Sequence, residues 1–311
     1  MLDSSCAAIS PSTSQFIHPK VFFISLPIPT YSSCLPILIV MFFKKTALVG
    51  MIAISAHAAH LSWRAESVKV SNYTYTGSST GPFNWANLQG WYQGANKVCA
   101  TGKKQSPINL DSSIQTGEAP TINYPDGNAM ELENIGTTLE VVNKGTASYS
   151  IVVGDRTFLF NNFHFHTPSE HRINGESFPL EMHIVNAARD PANNVVLTVL
   201  FNIGTSANAF LTSVLQNAAS VTSPGSTTMT GNLNFTPIRN AFASSAARKV
   251  YEGSLTTPPC TENTQFIIAT TPLTMSIAQY NTIKGIIKFN ARYTQNALGQ
   301  TNLLQISQPR S

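Results

Sequence analysis

Four of the chain's seven histidines lie between positions 164 and 183. In the run Phe163-His164-Phe165-His166 apolar and imidazole side chains alternate, so on a β-strand both imidazoles point to one face. Glu181-Met182-His183 alternates in the same way and brings a third imidazole to that face if the two strands pair. Three neutral imidazoles with one open position describe a catalytic zinc site, and the lack of Cys or Met disfavours softer metals. The alternative is a His-x-His strand that only decorates a surface.

The elements that must position these side chains are short strands separated by turn signals. Only two segments have helical spacing, 209–219 and 277–287. The predicted strands are 139–142, 149–153, 157–160, 163–166, 181–185, 195–203 and 266–269. This pattern predicts a single α+β domain, dominated by β-structure, with a large, mostly antiparallel central sheet and a few surface helices.

The composition is that of a globular protein with few charges. Apolar residues make up 42% of the 311 residues, but charged residues only 11%, against about 25% in typical soluble proteins. The formal net charge is +4, and the basic residues are scattered apart from three pairs. We therefore expect no nucleic-acid partner.

Residues 41–58 have the order of features found in secretory signal peptides. Lys44 and Lys45 precede the apolar run 46–55, and the small-residue pattern Ala56-His57-Ala58 follows as a cleavage site. The apolar run is too short to span a bilayer. The sequence therefore predicts a secreted, extracellular protein, or a periplasmic one in a bacterium.

Residues 1–40 do not belong in front of a signal peptide. We interpret them as a non-native or untranslated leader, and 59–311 as the mature domain. A rival interpretation is a membrane anchor formed by residues 21–43, but three prolines interrupt that stretch. We expect no stable membrane anchor.

The cysteines and two glycosylation sequons agree with export. Two of the four cysteines fall within residues 1–40, which leaves Cys99 and Cys260. A lone pair of cysteines in an oxidising compartment predicts one disulfide. Asn72 and Asn234 begin Asn-x-Thr sequons, which gives weaker support for a secreted glycoprotein.

Several separated motifs resemble landmarks of the alpha carbonic anhydrases, in the order in which that family carries them. The resemblance extends over residues 71–306, essentially the whole expected mature chain. The motifs are Gly81-Pro82 with Trp85, Gln105-Ser106-Pro107-Ile108-Asn109, Asn162-Phe-His-Phe-His-Thr-Pro-Ser-Glu-His171, Glu181-Met-His-Ile-Val185 and Gly253-Ser-Leu-Thr-Thr-Pro-Pro-Cys-Thr-Glu262.

The resemblance implies zinc-dependent, reversible hydration of carbon dioxide to bicarbonate and a proton by zinc-bound hydroxide. Zn²⁺ on His164, His166 and His183 would lower the pKa of its water to about 7, the chemistry for which carbonic anhydrase is the standard example. Thr256 would accept the hydroxide proton and donate its own to Glu170, which points the nucleophile at the substrate. Without the three histidines, Thr256 would be an ordinary turn residue.

The family also implies groups that hold the ligand rings in one tautomer. Glu181, Asn162 and the backbone carbonyl of Asn290 would bind the rings of His183, His164 and His166, respectively. The family usually has Gln where this chain has Asn162, so a longer or water-bridged contact is expected there. His171 corresponds to a buried structural histidine of the family.

An apolar pocket is expected for carbon dioxide, which offers no strong hydrogen-bonding group. The positions that match it are Val185, Val196, Leu255, Thr257, Thr264 and Phe266. Thr264 stands where the family commonly has Val, and Phe266 where it generally has Trp. Both keep roughly the needed volume, so altered kinetics are expected rather than inactivity.

The proton-relay histidine of the fast family members is missing. In the matching segment 142–147, Thr146 occupies its place, and a hydroxyl does not titrate near neutral pH. His60, close to the expected new N-terminus, is the one other candidate. Removal of the proton is therefore expected to limit turnover.

Two other functions stay open at this point. The first is a catalytically inactive relative that serves as a binding module or storage protein. The second is a different zinc hydrolase such as an esterase, although no general base other than Glu170 lies near the motif. Retention of all three histidines, Glu170 and Thr256 favours the enzyme that hydrates carbon dioxide.

Overall fold

The computed structural model describes residues 67–88, 94, 96–188, 193–243 and 248–307, which all belong to the unit Ser62–Ser311. The expected leader 1–40, the expected signal peptide 41–58 and His60 lie outside the described residues.

Ten of the twelve strands formed by the described residues make one large sheet. The strands are β1 (Asn109–Leu110), β2 (Thr121–Asn123), β3 (Glu131–Asn134), β4 (Leu139–Val142), β5 (Ser150–Val153), β6 (Arg156–His166), β7 (Arg172–Ile173), β8 (Leu180–Ala187), β9 (Asn194–Gly204), β10 (Thr227–Met229), β11 (Arg248–Ser254) and β12 (Glu262–Ser276). The order in the sheet is β10-β3-β4-β6-β8-β9-β12-β11, with β5 paired to both β6 and β2. Only β9 and β12 pair in parallel there, so the predicted β-dominated, mostly antiparallel sheet is confirmed.

β4 has the predicted bounds and β5 is one residue shorter than predicted, while the other predicted strands are longer in the structure and some observed strands were not predicted. β6 is one strand where the sequence suggested two, because a register shift between Phe160 and Asn162 lets its pairing with β8 continue. β11 was missed because it begins with a buried charge rather than an apolar residue. The guanidinium of Arg248 donates to the carbonyls of Phe242 and Gly117.

The main core fixes the register of β6 against β8. Phe163 and Phe165 are fully buried and pack with other aromatic rings, among them Phe210, 5.5 Å from Phe163 between ring centroids. Met182 on β8 is equally buried on the same side. A slip by one residue would expose these side chains, so burial of the phenylalanines holds the alternate residues of β6 on the opposite face.

The helices formed by the described residues are few and short. They are α1 (Val98–Thr101), α2 (Ala209–Val214), α3 (Thr236–Ala241), α4 (Ile277–Ile287) and α5 (Leu303–Ile306), with 3-10 turns at Trp85–Asn87 and Ala218–Ser220. α4 has the predicted bounds and begins with a reciprocal cap between Ser276 and Gln279. The predicted helix 209–219 is wrong in its second half, where the side chain of Asn217 instead donates to the carbonyl of Met229. No helix of the described residues is long and apolar enough to cross a membrane.

The predicted disulfide between Cys99 and Cys260 is present, and both cysteines are fully buried. It joins α1 to the loop between β11 and β12. In the same cluster Trp85 donates its indole N–H to the carbonyls of Thr74 and Thr80. The N-terminal segment 67–88 is thereby held beside the loop that carries Thr256.

Candidate metal centre

Neighbouring strands bring three imidazoles together. β6 carries His164 and His166, and the sheet register places His183 of β8 directly opposite His164. One ring nitrogen from each histidine lies within 4.8 Å of the others. The ring centroids are 5.1, 5.5 and 4.7 Å apart, a spacing that lets all three rings bind one ion.

A hydrogen bond holds the outer nitrogen of each ring. His164 Nδ1 lies 2.9 Å from Asn162 Oδ1, His166 Nδ1 lies 2.9 Å from the carbonyl oxygen of Asn290, and His183 Nε2 lies 2.5 Å from Glu181 Oε1. These oxygens only accept, so the outer nitrogens donate and the inner nitrogens keep a free lone pair. The expectation of a longer or water-bridged contact at Asn162 was wrong, since the contact is direct.

The surroundings favour the neutral form of two of the three rings. Burial lowers the pKa of His164 well below its ordinary value, and the neighbouring histidines lower it further. Burial also lowers the pKa of His166. For His183 burial acts in the same direction, but the charge and hydrogen bond of Glu181 outweigh it and raise the pKa. Neutral imidazole is the form that binds a metal ion.

His171 belongs to a buried chain of polar groups. Its Nδ1 lies 2.6 Å from Glu181 Oε1, and its Nε2 lies 2.7 Å from the hydroxyl of Tyr251. Tyr251 in turn bonds Ser106 Oγ. The groups His171, Glu181 and His183 are also close enough to hold an ion, but both ring nitrogens of His171 already have partners. Its surroundings therefore suit a structural role that fixes Glu181.

Glu170 is buried close to the histidine cluster. Its Oε1 accepts the backbone N–H of Arg292 at 2.8 Å. Its Oε2 lies 3.5 Å from His166 Nε2 and has no hydrogen-bond partner. Thr256 is also buried, but among the described residues no hydrogen bond joins it to Glu170. The expected relay from Thr256 to Glu170 stays a prediction.

His164 and His166 open into a cavity of about 230 Å³. Of the residues expected around the substrate, Val185, Leu255 and Thr257 line it. The other three are buried and do not line the cavity, namely Val196, Thr264 and Phe266. The Phe266 ring lies 5.7 Å from that of His183, so it supports a ligand ring from behind.

Thr146 and Glu140 differ in their relation to this cavity. Thr146 is exposed and is not among the lining residues. Glu140 lines the cavity opposite His164, and burial, with the charge of Glu133, raises its pKa to about 7. Sequence analysis missed Glu140. The alternation in 139–142 shows that Glu140 lies on the opposite face of the strand from Leu139 and Val141. Only the pairing of β4 with β6 shows that this face carries His164.

Two tyrosines of the N-terminal segment also line the cavity and were not predicted. Tyr75 packs edge-on to His166, with ring centroids 6.4 Å apart. Burial raises the pKa of Tyr73. Both rings pack against Trp85. Because Trp85 belongs to the N-terminal motif with Gly81-Pro82, that motif already indicated that this segment lies near the site.

Comparison with known proteins gives concordant matches. A family model described as eukaryotic-type carbonic anhydrase matches residues 80–305. A carbonic anhydrase of Klebsiella pneumoniae is 33% identical over 222 residues, which cover 70% of this chain and 85% of that protein.

Solved structures are similar over a comparable length. The alpha carbonic anhydrase of the fungus Aspergillus oryzae is 37% identical with a TM-score of 0.70, covering 76% of this chain and 98% of that one. That of Thermovibrio ammonificans, solved with the inhibitor sulfanilamide, is 30% identical with a TM-score of 0.64 and covers 75% and 98%.

Proposed function

Because this chain belongs to the alpha carbonic anhydrase family and is a carbonic anhydrase, we propose that it hydrates carbon dioxide reversibly to bicarbonate and a proton at a zinc ion on His164, His166 and His183. The observation that carries the proposal is the arrangement of the three rings. Each has its outer nitrogen bound to an acceptor and its inner nitrogen directed to a common point.

The residues present fit zinc. Three imidazole nitrogen donors with room for a further ligand are the donor set of catalytic zinc sites. His166 Nε2 is buried and has no hydrogen-bond partner, so its desolvation is uncompensated unless a ligand binds there. When bound, zinc supplies the Lewis acidity that makes hydroxide available near neutral pH.

The chain itself supplies orientation and an apolar surface for the substrate. Asn162, Glu181 and the Asn290 carbonyl hold protons on the outer nitrogens and thereby aim the rings. Val185 and Leu255 offer hydrocarbon to carbon dioxide beside the cluster. Thr256 would accept a hydrogen bond from the nucleophile and donate its own hydroxyl proton to Glu170, which would orient the nucleophile.

Stopped-flow measurement of carbon dioxide hydration tests this proposal, with and without a chelator. Activity should disappear with zinc removal and return with added zinc. His183→Ala should lose tight zinc binding, because two imidazoles leave the ion under-coordinated. Arg156→Gln, a change at an exposed residue, is the control. Full activity in metal-free protein would contradict the assignment, and zinc binding without activity would support the inactive binding module.

We also propose that the protein is exported with residues 41–58 removed. The buried Cys99–Cys260 disulfide fits an oxidising compartment, and Asn72 and Asn234 are exposed, as glycosylation requires. N-terminal sequencing of the secreted protein should begin at residue 59. Retention of residues 1–40 in the mature protein would overturn this assignment.

A further inference from the structure

A cavity of about 390 Å³ lies apart from the one that His164 and His166 line. Among the described residues, Tyr75 is the only one that lines both. Its volume falls within the range of about 300–1,000 Å³ that is common for small-molecule sites. None of the three imidazoles lines it, and of the residues used in the proposed reaction it shares only Glu170.

The walls of this cavity are aromatic and partly open to water. Phe83 stacks on Tyr293 with ring centroids 5.0 Å apart, yet it remains 72% exposed. Phe289 also lines the cavity and is 54% exposed. Two large exposed rings at one cavity are an unusual apolar surface, and such surfaces mark sites of interaction. Flat rings offer the best contact to a flat ligand.

One positive charge in the wall has no partner. The side chain of Arg172 is exposed and makes no hydrogen bond or ion pair with the described residues. By contrast, Arg239 is paired with Asp126. An unpaired guanidinium presents a planar fork of donors that matches a carboxylate.

The other two charged groups that line the cavity are already engaged with the protein. Glu170 accepts the backbone N–H of Arg292, and the Arg292 guanidinium donates to the carbonyls of Ser106 and Cys99. Arg292 is also buried, so Arg172 is the exposed charged side chain in this wall with donors available to a ligand.

From these observations we propose that the cavity binds a small aromatic carboxylate. The ring packs against Phe83 and Phe289, and the carboxylate binds the guanidinium of Arg172. The site is distinct from the metal centre, and its occupation does not depend on whether the enzyme turns over.

Isothermal titration of the zinc-loaded protein with 2-naphthoate tests the proposal. Saturating sulfanilamide, bound in the Thermovibrio ammonificans relative, keeps the carboxylate away from the metal centre. We expect saturable binding with a Kd of about 1 mM or tighter. Binding should persist in His183→Ala, and the neutral analogue 2-naphthalenemethanol should bind about fivefold more weakly because it lacks the charge.

Two variants separate the ring contact from the charge. Phe83→Ala and Arg172→Gln should each weaken 2-naphthoate about fivefold, and both residues are exposed, so the fold should survive. The matched controls are Met229→Ala, an exposed apolar residue elsewhere, and Arg156→Gln, an exposed arginine beside Phe158. Neither control should change the affinity, and melting temperatures verify that all four variants fold.

Four results would overturn the proposal. These are no saturation below about 5 mM, loss of binding when sulfanilamide is present, and equal affinities in all four variants. The fourth is a dimer in sedimentation that Phe83→Ala dissociates while no probe binds, which would make this surface an interface between two copies.

Discussion

Replacing Glu140 with Gln should remove a pH dependence of the free energy of unfolding that arises from burial of the Glu140 carboxyl. Burial and the charge of Glu133 raise the pKa of Glu140 from 4.5 to about 7 in the folded protein. The folded state therefore holds this proton more tightly than the unfolded state. Stability is unaffected well below pH 4.5, falls as the pH rises from about 4.5 to about 7, and levels off above that, where the carboxyl is ionised in both states.

The size of the effect follows from the two pKa values. The difference of about 2.5 between the pKa values of the folded and unfolded states corresponds to about 3.4 kcal/mol at high pH. Between pH 5 and pH 8 the linkage relation gives a loss of about 2.5 kcal/mol in the free energy of unfolding. Gln mimics the protonated acid in shape and charge, so Glu140→Gln should lack this loss.

Urea unfolding of zinc-free protein at pH 5 and pH 8 measures the difference without competition from the metal. Each protein is compared with itself at the two pH values, so any effect of the amide that does not depend on pH cancels. Glu176→Gln, which removes an exposed carboxylate after β7, is the control and should follow the unmodified protein. If Glu140→Gln and the unmodified protein lose equal stability between the two pH values, the carboxyl is not buried as described.

Three further predictions concern the disulfide, the proton relay and the ligand rings. Cys260→Ser should lower the melting temperature in calorimetry, since closing the loop to Cys99 stabilises by at most about 5 kcal/mol in chain-entropy terms, and unchanged stability would contradict this. Turnover should be modest in dilute buffer and rise steeply with added imidazole buffer. In dilute buffer, Thr146→His should raise kcat several-fold and leave kcat/KM unchanged. A turnover near 10⁶ per second in the unmodified enzyme, about the rate of carbonic anhydrase's zinc hydroxide, would contradict this prediction. Glu181→Gln should weaken zinc binding about 10- to 100-fold in a chelator competition, because it removes the charge shared by His183 and His171, and an unchanged affinity would show that the ring is held otherwise.

The sequence was sufficient for the features that depend on alternation and burial. The face shared by His164 and His166 follows from the period of a strand, and the disulfide follows from counting cysteines. The continuous β6 did not follow, because a bulge at Phe160 and Asn162 joins what looked like two strands. The role of Glu140 did not follow either, because the pairing of β4 with β6 is a long-range property of the sheet.

Asn162 contacts the His164 ring directly although its side chain is short. Its side chain is one methylene shorter than the family's usual Gln, so the sequence alone suggested a gap. Asn162 directly follows the register shift in β6, where the backbone departs from regular pairing. A local change in backbone position at a bulge can compensate for a shorter side chain. Asn162 Oδ1 lies 2.9 Å from His164 Nδ1, so the shorter side chain leaves no gap.

The ring of His166 is held in a different way, by the backbone carbonyl that the family resemblance implied. Its partner is a backbone carbonyl, that of Asn290, so any residue could supply the acceptor at that position. What makes asparagine special is its side chain, which donates to the carbonyls of Thr137 and Phe165 and accepts the N–H of Thr167. These three buried bonds fix the backbone that carries the acceptor to the strand that carries His166. The Asn290 side chain therefore affects the His166 ring only by fixing the Asn290 backbone. Loss of the side-chain hydrogen bonds would loosen the contact between the Asn290 carbonyl and His166 Nδ1.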